Sequence, residues 1–453
     1  MEQIATFVKG SCQAGSVCFV ESVSVDSRRI GRSCLFVALK GDRVDGHDYI
    51  DDAVKNGAVA VLSQRPVPDC PVPVITVKST QKALLDLAAG CRQLLPALRT
   101  VGVTGSVGKT TTKEMIAQVL GEKWKTVKTQ GNFNNEIGLP LTMFRIDSTA
   151  QAAVLEMGMS SFGEIAQLTR IVRPQVAVIT NIGVSHIEYL GSREGIRQAK
   201  LEIIEGLQPD GVLVLNGDEP LLWELRGKLP CQTVFYGMVN SGCDYRALDV
   251  RATATESDFT IEGGGKRYPV HLHAGGEHNV MNALAAAAVA DAMDLPQQAV
   301  QDGLAHFENV GMRQNIYEKN GLTIVEDCYN ASPDSVQAAL RVLRDLPIEG
   351  RKIAVLGAMG ELGEYTGPGH RQCGEMAARC ADRLYVLGKD AGLYLEGARQ
   401  AGMEEGALFH AGSHEQLAEY LRHHTAVGDG LLFKGSRFMK MERVLSLFFG
   451  EEV

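Results

Sequence analysis

The spacing of apolar residues changes several times along the chain, and each change marks a structural block. Short continuous apolar runs at Cys34–Leu39 and Val59–Leu62 predict buried strands. Pro66, Pro68, Pro71 and Pro73 then punctuate the segment, and a helical period begins near Ser79. Ala83, Leu84, Leu87, Ala88, Cys91, Leu94 and Leu95 recur three or four residues apart, which predicts one buried helical stripe. After Pro96, apolar runs at Thr100–Val103, Ala153–Met157, Val176–Thr180 and Val212–Leu215 alternate with helical stretches. That rhythm predicts a parallel sheet covered by helices. An all-β stretch over Thr233–Val270 interrupts it, followed by an alanine-rich helix over Asn279–Ala292. The rhythm resumes at Thr323–Glu326, Ile353–Gly357, Leu384–Leu387 and Leu431–Lys434. The expected fold class is α/β, with domains over 1–78, 79–313 and 314–453.

Composition narrows the functional classes. A chain of 453 residues is long enough for about three domains. A hydrophobic content of 45% with 22% charged residues is that of a globular protein. The formal net charge of −9 argues against a nucleic-acid partner held through phosphates. The ten cysteines include no CxxC pair, and Cys91, Cys328 and Cys380 sit inside apolar patterns, as reduced core cysteines do. The N-terminus, Met1-Glu-Gln-Ile-Ala5, has neither the basic region nor the apolar core of a signal peptide, and no run of about 18 apolar residues follows. A cytoplasmic chain without a membrane span is expected.

Chemistry enters at Thr104-Gly-Ser-Val-Gly-Lys-Thr110, between the strand Thr100–Val103 and a helical pattern from Thr111. The longer phosphate-loop pattern GxxxxGK[ST] requires Gly at position 103, which is Val103, whereas the shorter TGxxGK[ST] fits completely. Gly105 and Gly108 let the backbone, with Ser106 and Val107, close around phosphate oxygens. Lys109 supplies positive charge, Thr110 a hydroxyl for Mg2+, and the helix beginning at Thr111 its N–H groups. ATP is the expected ligand.

Other candidates are individually weaker. Glu156 closes an apolar strand, where a carboxylate either binds the same Mg2+ or sits on the surface. His186 lies in the loop after Val176–Thr180, where α/β sheets carry ligands, although a lone histidine is more often a bystander. Lys200, in Ala199-Lys-Leu-Glu202, reads by itself as a solvated helix lysine. Asn279 and Asn282, at i and i+3, either face one ligand together or serve the helix start, with Asn279 as cap. Lys434, Ser436 and Arg437 follow the last apolar run and suit a carboxylate or phosphate, or else form a solvated basic terminus.

Together TGSVGKT, Glu156, NIGVSH, AKLE, GEHNVMNALAA and DCYNASPDSV, in this order over nearly the whole chain, resemble the Mur ligases, ATP-dependent amide-forming enzymes of peptidoglycan synthesis. Four further segments point to the member that adds D-alanyl-D-alanine. They are Asp26-Ser-Arg28 with Leu35–His47, Gly131–Pro140, Asp327-Cys-Tyr-Asn-Ala-Ser-Pro333 and Lys434-Gly-Ser-Arg437. The chain departs from the family at Ser332, where Asn is frequent, and at Gly311-Met-Arg313, where Gly-Arg-Met is frequent.

The resemblance implies three domains: a small α/β domain for the UDP end, a central ATPase-like parallel-sheet domain and a Rossmann-like C-terminal domain. It also implies a reaction. The carboxylate of UDP-MurNAc-tripeptide takes the γ-phosphate of ATP, and the amine of D-Ala-D-Ala then displaces phosphate from the acyl phosphate. Two Mg2+ sites are implied, with Thr110 and Glu156 at one and His186 and a carbamylated Lys200 at the other. Asn279, Arg313 and Asp327 are implied nucleotide contacts. Ser27, Arg28, Asp45, Asn132, Asn135, Asn330, Ser332, Lys434, Ser436 and Arg437 are implied substrate contacts. The family further implies a monomer. Three domains sharing one reaction, with Arg313 and Asp327 just beyond the boundary yet needed at ATP, suggest that the third domain closes onto the central one. The sibling ligase for the third amino acid typically carries a DNPR stretch, which is absent, and folylpolyglutamate-type ligases lack the Asp26-Ser-Arg28 type of first domain. A GTP-dependent switch would carry NKxD, also absent, and a noncatalytic scaffold would not need Lys109, Glu156, His186 and Lys200 together.

Overall fold

The computed structural model describes residues 1–12, 18–41, 43–309 and 311–451. Asp42, within the Leu35–His47 stretch, lies outside the described residues. Three sheets organise the described residues.

The first sheet contains β1 (Ser11–Cys12), β2 (Ser22–Ser24), β3 (Cys34–Val37), β4 (Ala58–Ser63) and β5 (Val74–Thr76), in the order β1-β5-β4-β3-β2. Its central pairs are parallel, and only β1 runs antiparallel to β5. Leu35 and Val37 enter one core layer, with Ala83, Leu84 and Leu87 of the helix Thr80–Gln93. Phe36 enters another, with Ile50 and Ala53. Burial of both faces is why β3 reads as an unbroken apolar run instead of an alternation. The helix starts as expected, with Ser79 capping the Lys82 N–H. Leu94 departs from the expected stripe: it is 56% exposed, because the helix ends at Gln93 and the chain turns.

The second sheet contains β6 (Arg99–Thr104), β7 (Thr126–Lys128), β8 (Ala152–Glu156), β9 (Val176–Ile179), β10 (Val212–Asn216), β11 (Gln232–Gly237), β12 (Tyr245–Ala252), β13 (Ser257–Gly263) and β14 (Lys266–Leu272). Their order is β14-β13-β12-β11-β10-β9-β6-β8-β7. The expected all-β interruption is β11 to β14, of which β12, β13 and β14 pair antiparallel. The third sheet contains β15 (Asn315–Lys319), β16 (Leu322–Asp327), β17 (Lys352–Gly357), β18 (Arg383–Leu387), β19 (Leu408–Ala411) and β20 (Gly430–Lys434), in the order β15-β16-β20-β17-β18-β19. All its pairs except β15–β16 are parallel. Short β7 and the edge strand β15 contain no fully buried residue, and the edge strand β19 is buried only at its two ends, so none of them reads as an apolar run.

Two compact units partition the chain. One comprises Met1–Thr104, Trp124–Ala177 and Glu202–Val212, the other Gly105–Lys123, Val178–Leu201 and Leu213–Val453. No helix among the described residues is long and apolar enough to cross a membrane.

Candidate active site

The loop Gly105–Gly108 leads directly into the helix Lys109–Gly121. Gly105 has φ +152°, and a Cβ there would lie 1.8 Å from the Thr180 Oγ1. Gly108 has φ +81°, and its Cβ would lie 2.9 Å from the Asn282 Oδ1. Glycine is therefore required at both positions by conformation and by close approach. The residues just after β9 hold the loop. Asn181 Oδ1 accepts the N–H groups of Ser106 (3.0 Å) and Val107 (2.9 Å), Thr180 Oγ1 donates to the Val107 carbonyl (2.5 Å), and the Gly183 N–H donates to Ser106 Oγ (2.9 Å). Asn181 opens the NIGVSH stretch that also holds His186. A polar residue directly after a buried strand was the available signal. Lys109 Nζ donates to the carbonyls of Gly105 (2.7 Å) and Ser106 (3.3 Å), so its charge sits over the loop.

Lys200 is not a solvated helix lysine. The helix Arg193–Leu201 turns it inward, and it is 2% exposed. Burial, reinforced by the charge of Lys109, pushes its pKa well below the ordinary lysine range. Glu156 is likewise no surface residue: it is 2% exposed at the end of β8, where it pairs in register with Val103. Its N–H donates to Thr129 Oγ1, and Asn134 Nδ2 donates to its Oε1 at 2.8 Å. His186 adopts φ +63°, and its Nδ1 lies 2.5 Å from Oε2 of Glu361, which also has positive φ (+60°). The imidazole beside it holds the Glu361 carboxyl below its ordinary range.

Asn279 does not cap its helix, which begins at Glu277 with Gly276 as cap. Asn279 and Asn282 do share a face: Asn282 Nδ2 donates to Asn279 Oδ1 (3.2 Å), and Thr112 Oγ1 donates to Asn282 Oδ1 (3.0 Å). This ties the alanine-rich helix to the helix that opens at Lys109. Gln314 Oε1 accepts from Asn279 Nδ2 (3.3 Å) and lies 2.9 Å from His278 Nε2. Burial lowers the His278 pKa. Arg313 lies over the Tyr329 ring at 4.1 Å.

The C-terminal ends of β16 and β20 join another group. Lys434 Nζ donates to Asp327 Oδ2 (2.6 Å) and to the Asn330 carbonyl (3.0 Å). Lys434 and Ser436 are buried, so the basic segment is not a solvated terminus there; Arg437 is exposed and pairs with Glu442. Ser436 Oγ donates to the Ala331 carbonyl and accepts the Gly360 N–H. Ser332 is the N-cap of the helix Pro333–Asp345.

In the unit that contains the first sheet, a cavity of about 610 Å³ is lined by Ser22–Asp26, Arg29, Asn132, Asn135 and Arg145, among others. Asn135 Oδ1 accepts the N–H groups of Ile137 (3.3 Å) and Gly138 (2.9 Å), ordering the chain at the start of the helix Gly138–Met143, whose cap residue is Ile137. Ser27, Arg28 and Asp45 do not line this cavity. Asp26-Ser-Arg28 forms a turn, with Asp26 accepting both the backbone N–H and the guanidinium of Arg28. Asp45 caps Gly46–Tyr49 and meets His47.

Three family models match in chain order: the Mur ligase family catalytic domain over residues 20–92, the Mur ligase middle domain over 103–290, and the Mur ligase glutamate ligase domain over 312–437. The UDP-N-acetylmuramoyl-tripeptide–D-alanyl-D-alanine ligase of Bacillus subtilis (strain 168) is 42% identical over 451 residues, covering 98% of this chain and 97% of that protein. The chain belongs to the Mur ligase family. The ligase of the same name from Escherichia coli (strain K12) is 36% identical, with 86% of each chain covered. Among solved structures, MurF from Acinetobacter baumannii superposes with a TM-score of 0.91 at 30% identity, covering 99% of this chain and 98% of that one. MurF from Thermotoga maritima, solved in complex with ADP, gives 0.82 at 33% identity over 95% and 97%. The expected three-domain α/β fold is thus that of the family.

Proposed function

We propose that this chain joins D-alanyl-D-alanine to UDP-MurNAc-tripeptide in an ATP-dependent ligation, giving UDP-MurNAc-pentapeptide, ADP and phosphate. The observation that carries this reading is the pairing of a phosphate loop with a buried lysine: Lys109 lies over the loop, and its charge helps depress the pKa of buried Lys200. The shared name of the long, similar relatives supports the substrate pair.

A carboxylate and an amine at neutral pH form a salt, not an amide. Phosphorylation of the carboxylate supplies a leaving group: its oxygen bonds to the γ-phosphorus, ADP departs, the amine nitrogen attacks the acyl carbon, and phosphate is expelled. The first step brings two anions together, so positive charge is what the protein must supply. Lys109 and the N-terminus of the helix Lys109–Gly121 provide it. Thr104 to Thr111 cradle the phosphates, Asn279 and Arg313 hold the nucleotide, and Asp327 accepts hydrogen bonds from its ribose.

The donor set suits Mg2+. Thr110 and Glu156 offer the hard oxygen ligands that Mg2+ prefers, and His186 would serve as an added nitrogen donor beside oxygen ligands from the Lys200 carbamate and the phosphates. An ammonium cannot bind a cation, but a buried, neutral Lys200 amine is the form that adds CO2, and the carbamate is an oxygen ligand. Bound Mg2+, in two sites, would neutralise the phosphate oxygens. Asn132 and Asn135, with Ser27, Arg28 and Asp45 as a supporting turn and cap, serve the UDP-muramoyl end. Asn330, Ser332, Lys434, Ser436 and Arg437 serve the peptide end. Domain boundaries near residues 78 and 313, a monomeric state and a cytoplasmic location complete the proposal.

The deciding experiment is phosphate release with ATP and Mg2+, adding UDP-MurNAc-tripeptide and D-Ala-D-Ala separately and together. Release only with both, with the pentapeptide product seen by mass spectrometry, is expected. Release without them would indicate a plain ATPase, and no release with this pair would favour the sibling ligase or a noncatalytic protein.

A further inference from the structure

The outward face of the β13–β14 hairpin carries a cluster of side chains of metal-ligating type, separate in sequence from the glycine loop. In the antiparallel register Ser257 faces Leu272 and Asp258 faces His271. One further step places Glu256 opposite His273. Side chains two apart on a strand share a face, so Glu256, Asp258, His271 and His273 form a two-by-two block. Between them Ser257, Phe259, Val270 and Leu272 point inward and are buried, which fixes the facing of the block.

One ligand atom from each of Glu256, His271 and His273 lies within 4.8 Å of the others. The imidazoles of His271 and His273 stand edge to face with centroids 4.6 Å apart. Asp258 Oδ1 lies 2.8 Å from His271 Nδ1. A carboxylate on Nδ1 selects the tautomer whose Nε2 lone pair is available to a metal and raises its basicity. The backbone beneath is held firmly: Thr253 N–H and Oγ1 both donate to the Glu256 carbonyl (2.8 and 3.0 Å), and Ser257 Oγ donates to the Ala274 carbonyl (2.9 Å).

We infer that Glu256, His271 and His273 form a site for a divalent transition ion, with Asp258 orienting His271. Two imidazoles and one carboxylate suit Zn2+, Co2+ or Ni2+ rather than Mg2+, whose preferred ligands are oxygens. Tetrahedral bonds of about 2.0–2.1 Å set donor atoms about 3.3 Å apart, so binding requires a modest inward rotation of exposed side chains. The fourth position belongs to water. The Gly276 N–H donates to the Thr253 carbonyl (3.0 Å), so the metal would also brace the turn that leads into the Asn279 helix.

The test is a Co2+ titration of the full, reduced, metal-free chain, followed by visible absorption. One equivalent bound, with a spectrum lacking thiolate charge-transfer bands, is expected. In the His271→Ala/His273→Ala variant affinity falls about 100-fold, and in Asp258→Asn about 10-fold. His186→Ala retains the site, and the double variant retains ligase activity in Mg2+ alone. Unchanged affinity in the double variant, loss in His186→Ala, or a thiolate spectrum would overturn the assignment. If the double variant misfolds by circular dichroism, Glu256→Gln decides: weakened binding supports the site, and unchanged binding refutes it.

Discussion

The phosphate loop and the Ser22–Arg145 cavity are built in opposite ways. The loop is a backbone device: its glycines are set by φ and by approach distances of 1.8 and 2.9 Å, and Asn181 and Thr180 bind its main chain. The cavity is a side-chain device, assembled from Ser22–Asp26 on one side and from Asn132, Phe133, Asn135 and Arg145, more than a hundred residues later in sequence, on the other. A phosphate looks alike on every nucleotide, so a fixed backbone cradle serves it. Under the proposed function the cavity takes a sugar–peptide substrate, which needs particular side chains, and those can be changed one at a time. Substitutions in the loop should therefore abolish catalysis or folding, whereas those around the cavity should shift affinity.

The largest expected effect is Lys109→Ala, which should lower kcat by about 10³-fold. A near-normal rate would remove the loop from the mechanism. Lys200→Ala should cost about 10²-fold or more, and added short carboxylic acids should restore part of it. Absence of any rescue would argue against the carbamate. Gly105→Ala should destabilise its unit by about 3 kcal/mol, since the new Cβ meets Thr180 Oγ1. Chemical denaturation would measure this, and a loss under about 1 kcal/mol would show that the loop adapts.

On the cavity side, Asn135→Ala removes the side-chain oxygen that orders the Ile137 and Gly138 backbone of the lining. With about 1 kcal/mol of that order lost, KM for UDP-MurNAc-tripeptide should rise about five-fold with little change in kcat. A fall in kcat without a change in KM would erase the contrast between the two regions. The smallest effect concerns Asp26. Hydrogen bonds from Arg28 hold its carboxyl at about 2. A depressed folded-state pKa contributes stability above the unfolded value of about 4 that is lost as pH falls toward 2. Wild type should therefore exceed Asp26→Asn by at most ~0.5 kcal/mol at pH 7, because solvent screens the pair. The difference should vanish near pH 2. A gap that widens in acid would reverse the sign.

The strand–loop–helix order, the all-β interruption and the alanine-rich helix were legible in the sequence because apolar period and glycine placement are local properties. So were Lys109 and the Asn279–Asn282 pair, whose spacing alone places them on one helix face. Burial was not. Lys200 and Glu156 are residue types that local pattern assigns to solvent, and only the packing around each takes it inside. Nor could the sequence choose Asn181 over its neighbours, or pair His186 with Glu361, 175 positions later. It did not bring Glu256 opposite His273 either, since cross-strand contact depends on register. Sequence by itself determined the main buried elements, the family and the glycine loop. The tertiary structure decided which polar side chains leave water and meet, because desolvation and charge pairing depend on distances through space, not along the chain.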